Sequence, residues 1–190
     1  MRHPLIYFMM KRILMIIMVC ALSFSADAQI SSAKLQASGL TCAMCARAVY
    51  KNLEALTFVE KIDTDLNGSS FLLDFKGETT VDIDAIRKKV EDAGFSVAVL
   101  DLTGSFQEVT VKPDQHLTYG GSVFHFVGVK EQTVRGDKTF RVIDKHFTSA
   151  KEHKKFQGMT SMECFKTGLA AGCCKKNGVE QVSRIYHVTL

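Results

Sequence analysis

Cys42 and Cys45, three positions apart, offer the clearest chemistry in this 190-residue sequence. They lie in the run Ser38-Gly39-Leu40-Thr41-Cys42-Ala43-Met44-Cys45-Ala46-Arg47, which reads as a strand end, a glycine turn and a helix start. At that spacing both sulfurs can converge on one point. The unpaired N–H groups and partial positive charge of a helix N-terminus favour thiolates there. Thiolates bind soft metals and also attack disulfides, so the C-x-x-C spacing alone leaves metal binding and dithiol redox chemistry open. No His or carboxylate adjoins the pair. Two bare thiolates suit a soft ion that accepts low coordination, Cu(I) first and other soft ions after it, whereas zinc wants two more ligands. Met44, between the two, reads as apolar surface rather than as a thioether ligand.

A second inventory of soft ligands stands near the C-terminus, with Met159, Met162, Cys164, Cys173, Cys174 and His187. Adjacent Cys173 and Cys174 do not easily bridge each other, but either can pair with Cys164. A structural disulfide and a second metal site therefore both stay open for Cys164, Cys173 and Cys174. Met162, Phe165 and Leu169 recur at helical spacing, which makes Met162 a core residue. His125 and His187 fall within strand patterns and read as satisfied, partly buried side chains. His116, His146 and His153 read as surface.

The elements that must position Cys42 and Cys45 follow a clear order. Residues 34–38 form a strand, and a helix over 44–55 buries Ala46, Val49 and Leu53, with Leu56 beyond it on the same face. Strands over 59–65 and 70–75 flank an Asn67-Gly68 hairpin turn. A helix over 82–93 opens on Asp82 and Asp84, buries Ile83, Ile86 and Val90, and stops at Gly94. A last strand spans 95–100. This βαββαβ order predicts a ferredoxin-like α+β sandwich.

Residues 33–102 resemble the heavy-metal-associated (HMA) domain of copper chaperones and metal-transport ATPases. The family loop G-M-T-C-x-x-C stands here as Gly39-Leu40-Thr41-Cys42-Ala43-Met44-Cys45, with Leu40 replacing the Met as a residue packed under the loop. The resemblance implies Cys42 and Cys45 as the metal ligands and Phe95 as an aromatic near the metal loop. It also implies transfer by ligand exchange with a metal donor or acceptor protein, such as a metal-transporting ATPase. A thioredoxin would instead place a cis-Pro opposite its thiols, and Pro4 and Pro113, the only prolines, lie outside this stretch.

From residue 105 the pattern turns strand-rich, with strands over 106–111, 122–129, 139–144 after a Gly136-Asp137 turn, and 182–190. Two short helices carry capping boxes, Ser149 with Glu152 and Thr160 with Glu163. The expectation is a second small α+β domain over 103–190, as an OB-like or Greek-key barrel. Residues 29–102 hold 8 basic and 11 acidic side chains against 13 and 8 in residues 103–190, and the sign change marks the domain boundary. The basic half lacks aromatics interleaved with its cations, so nucleic acid is not an expected partner.

Lys11-Arg12, an apolar run over 13–22 and Ala26-Asp27-Ala28 have the order of a signal peptide cleaved near Ala28. The run is too short to span a bilayer comfortably, and the mature chain is not expected to cross one. The sequence reading is thus an exported, periplasmic Cu(I)-binding chaperone or sequestering protein and not an enzyme. The rivals are a thiol–disulfide oxidoreductase using the same cysteines, and a structural or sensory envelope protein.

Overall fold

The computed structural model describes residues 12, 29–77, 79–177, 179 and 183–190. Apart from Arg12, the expected signal peptide lies outside them. In β1 (Ile30–Ser38), Ala33, Leu35 and Ala37 point to the core at alternate positions. Helix α1 (Ala43–Glu54) buries Ala46, Val49 and Leu53, the face its periodicity predicts. β2 (Val59–Asp65) and β3 (Ser70–Phe75) form a hairpin whose turn is held by Asp65, which accepts from the backbone N–H groups of Asn67 and Gly68. Helix α2 (Ile83–Asp92) is capped by the Asp82 carboxylate, which accepts from Ala85 N at 2.9 Å, and it buries Ile83, Ile86 and Val90. The βαββαβ unit closes with β4, whose neighbours give the local strand order β2-β3-β1-β4.

β4 (Ser96–Val111) does not stop where the sequence suggested. It runs unbroken through 16 residues, past the expected boundary near residue 102, and the separately predicted strand over 106–111 is its second half. Beyond it stand β5 (His116–Tyr119), β6 (Ser122–Phe126), β7 (Gln132–Val142) and β8 (Ile185–Thr189). One eight-stranded sheet, ordered β2-β3-β1-β4-β7-β8-β6-β5, carries both halves. That linear order replaces the expected separate OB-like or Greek-key barrel. The Gly136-Asp137 turn is also corrected: both residues pair with β4 inside β7, and Gly136 takes φ +69° opposite a bulge between Phe106 and Val109.

The main core is continuous across the sheet, from Leu35, Phe71 and Ile86 to Phe106, Phe124, Phe140 and Val188. Gly104 in β4 permits one close approach: a Cβ there would lie 2.4 Å from the Tyr119 hydroxyl oxygen. That hydroxyl lies 2.8 Å from the Gln29 carbonyl and 2.9 Å from that of Ser105, tying β5 to both β1's entrance and β4. The opposite face of β6 and β8 is covered by α3 (Ala150–Gln157), α4 (Cys164–Thr167) and a 3-10 turn (Gly172–Asn177). Ser149 caps α3 as expected, but Glu163 rather than Thr160 precedes α4, and the Thr160 hydroxyl accepts from Met162 N.

An ion cluster also joins the halves. Arg184 bonds Asp84 at 2.9 Å and Asp144 at 3.0 Å, and the Tyr186 hydroxyl donates to Asp84 at 3.1 Å. Burial pushes the Asp84 carboxyl up, but Arg184, Tyr186 and Arg87 outweigh it and hold the group below its ordinary range. A depressed carboxyl stabilises the fold above its unfolded pKa and loses that contribution as pH falls through the folded value. Asp84→Asn is therefore expected to cost about 1 kcal/mol at neutral pH, the partners being partly exposed, and that cost fades in acid as the carboxyl protonates. Urea unfolding across that range measures the difference. A constant difference at all pH values would remove Asp84 ionisation as its cause.

Candidate metal centre

The loop between β1 and α1 is built around two backbone requirements. Gly39 takes φ +81°, and the Phe95 ring lies 4.0 Å from where its Cβ would stand. Leu40 packs against the core, as its replacement of the family Met requires. Phe95 is half-buried on the same core and supports the turn that leads to Cys42.

Cys42 is the N-cap of α1, in an extended conformation, and its sulfur accepts from Cys45 N at 3.2 Å. Cys42 is exposed and Cys45 half-buried, with Cα atoms 5.3 Å apart and the two sulfurs paired as a disulfide. The two sulfurs thus face one another at the surface, as the spacing predicted. Reduction gives two thiolates that can share one soft ion from a single side. Met44 is 74% exposed and packs against nothing in the core, so it is apolar surface. Beside Cys42 a shallow cavity of about 210 Å³ extends over Thr64, Leu66 and Phe71.

The second inventory is drawn together more tightly than its sequence positions suggest. Cys164 and Cys174 are buried and Cys173 is half-buried. All three are thiols, with Cys173 and Cys174 sulfurs 3.5 Å apart and all three within 4.8 Å of one another. Burial pushes the Cys164 and Cys174 thiols up. Burial also acts on Cys173, but the backbone amides of Cys164 and Glu163, with the neighbouring thiols, bring it below the ordinary range. Met162 packs beside them, in the core position expected of it.

The histidines depart from expectation. His116 was read as surface and is 7% exposed; His125 and His187, read as partly buried, are both fully buried. His153 is not simple surface either, since its ring stacks on Phe165 and its Nδ1 lies 3.0 Å from the Ile143 carbonyl. Only His146, among those three, is exposed. His116 Nε2 and His125 Nδ1 lie 3.7 and 3.9 Å from the Cys164 sulfur. Burial, with the neighbouring His187 and His116, lowers His125 to about 4 against the pull of Asp114, so its ring is neutral at physiological pH. The available sequence signal was a His flanked by apolar strand residues, Phe124-His125-Phe126 and Tyr186-His187-Val188.

Comparison with known proteins bears on the first of these two centres. Residues 34–96 match the model of the heavy-metal-associated domain. A protein of Arabidopsis thaliana named "Probable copper-transporting ATPase HMA5" is 34% identical over 80 residues, 42% of this chain. The chain spans 8% of that relative's length. A solved structure concerned with crosstalk between Cu(I) and Zn(II) homeostasis shares 21% identity, covering 35% of this chain and 93% of its own, with a TM-score of 0.32. The yeast copper transporter domain Ccc2a, solved in solution in apo and Cu(I)-loaded states, shares 30% identity over 35% of this chain and 90% of its own, also at TM-score 0.32.

Proposed function

With residues 34–96 a heavy-metal-associated domain, we propose that this protein binds Cu(I) through Cys42 and Cys45 and passes it to or from a partner protein. The observation that carries this reading is the facing Cys42 and Cys45 sulfurs at the N-terminus of α1, with Cys42 exposed. Two thiolates satisfy a Cu(I) ion in near-linear coordination. Exposed Cys42 leaves one side of the ion open, so a thiolate from the partner can join it before a local sulfur departs. Transfer of this kind exchanges one metal–sulfur bond for another and needs no general acid or base. A metal-transporting ATPase with its own thiolate pair fits the role of partner. The signal-like N-terminus supports export, where oxidation of the pair competes with metal uptake.

The redox state of the loop supplies the test. Anaerobically reduced full chain should take up one more equivalent of Cu(I) than protein whose Cys42–Cys45 pair is oxidised, in a competition titration against a Cu(I) chelator. Equal uptake by the two forms would overturn the proposal. If the reduced pair instead takes no Cu(I) but exchanges with a disulfide substrate, the thiol–disulfide oxidoreductase reading replaces it.

A further inference from the structure

The topology sets three histidines side by side. In the antiparallel β5–β6 pair His116 is the register partner of His125, and in the parallel β6–β8 pair His125 is the partner of His187. One cross-strand row therefore reads His116, His125, His187, and the rings of His116 and His125 stack at 4.5 Å. A buried sheet face usually carries Val, Ile or Phe at such positions. Three imidazoles here, all at most 7% exposed, need a polar reason.

Two carboxylates fix how these rings present themselves. Asp114 lies 3.2 Å from His125 Nε2, and Asp144 bonds His187 Nδ1. A carboxylate only accepts, so each facing nitrogen carries a proton, and on the neutral His125 ring the opposite nitrogen keeps its lone pair. For His125 that nitrogen is Nδ1, which faces Cys164. His187 Nε2, on the far side of its ring from Asp144, is buried and has no hydrogen-bond partner among the described residues. A carboxylate behind an imidazole with a free lone pair in front is the usual outer arrangement of a metal-binding histidine.

We propose that His116, His125 and Cys164, completed by a thiolate from the Cys173–Cys174 pair, form a second, buried site for a soft closed-shell metal ion, Zn(II) or Cu(I). The separations fit. Tetrahedral Zn–S and Zn–N bonds place sulfur and nitrogen about 3.6 Å apart, against 3.7 and 3.9 Å for Cys164 to His116 and His125. Cys164 belongs to both clusters, His116-His125-Cys164 and Cys164-Cys173-Cys174, so one ion can draw on both. Two thiolates and two neutral imidazoles around Zn(II) sum to no net charge, the arrangement that burial tolerates best. Half-buried Cys173 is the solvent-facing sulfur of the group. His187, held by Asp144 and adjoining His125 at a ring distance of 5.1 Å, closes the apolar side against Phe165.

The test uses the full chain carrying Cys42→Ser and Cys45→Ser, so that the loop contributes no metal. Zn(II) alone and Cu(I) alone are titrated anaerobically against chromophoric chelators, and the loaded protein is read by X-ray absorption. One equivalent of either ion, with imidazole scattering beside sulfur, is the expected result, and the tighter of the two identifies the resident ion. Cys164→Val keeps the core packed and should abolish uptake while the metal-free protein still unfolds cooperatively. Asp114→Asn, at a partly exposed position with φ +57° that Asn accepts, should weaken binding about 10–100-fold without changing the fold. No uptake by the folded loop variant, sulfur-only scattering, or undiminished uptake in folded Cys164→Val would each overturn the proposal. If Cys164→Val does not fold, the Asp114→Asn affinity decides.

Discussion

In the Cys42→Ser/Cys45→Ser protein, Cu(I) binding at the α1 loop is expected to vanish while the fold keeps its full stability. Both sulfurs sit outside the core: Cys42 is exposed, and the helix packs through Ala46, Val49 and Leu53. With the disulfide reduced, the Cys42 sulfur still accepts from Cys45 N, and a serine hydroxyl is a preferred acceptor in that position. Loss of binding therefore reports ligand chemistry and not collapse of the loop. Met44→Leu, by contrast, should leave affinity unchanged, because a 74% exposed side chain with no core contact has no fixed place beside the sulfurs. Cu(I) competition titrations of the three reduced proteins make the comparison. Retained binding at one fewer equivalent than wild type fits the second site; retained binding at the wild-type stoichiometry does not fit the loop assignment.

Phe140→Ala should be the most damaging single core truncation, at about 3–5 kcal/mol. Its ring is 1% exposed and contacts Phe106, Phe124 and Tyr119 at centroid distances of 6.0, 5.2 and 6.3 Å. β7 brings it opposite Leu102, so it lies where the N-terminal unit meets the later strands. The cavity it leaves is lined by rings anchored on β4, β5 and β6, which cannot all close in without breaking strand register. Because the core is shared, the loss should appear as one earlier transition in urea, seen alike by tyrosine fluorescence and far-ultraviolet circular dichroism. Two separate transitions, with only the later one shifted, would show that the halves unfold independently.

The N-terminal unit was legible because its signals are local. Helical spacing in Ala46, Val49 and Leu53, the Asp82 cap and the Gly94 stop each act within one turn, and the Cys pair sits between two of these elements. The later strands were partly legible: β6 and β8 arise within predicted segments, whereas β7 overlaps its predicted strand only over 139–142 and begins seven residues earlier, at Gln132. Their arrangement was not. Whether His116 meets His125 depends on β5–β6 pairing, and whether His187 joins them depends on a parallel pairing between strands about sixty residues apart. β5 itself, four residues long, was missed because His-Leu-Thr-Tyr gives too little alternation to stand out. The unbroken β4 escaped for another reason: Thr103-Gly104-Ser105 has the composition of a linker, but Gly104 is there for the Tyr119 ring.

That continuous strand also limits how such a chain can be rearranged by insertion or recombination. Between its two bulges β4 turns Leu100, Leu102, Gly104 and Phe106 inward, every second residue serving the core on one side and its neighbours the other. Adding or deleting one residue at the junction would keep one half in place and turn the other half's side chains inside out. Only changes by an even number, or by one residue together with a new bulge, preserve both. The junction therefore carries a parity, and neither half can be exchanged for a foreign module without matching it.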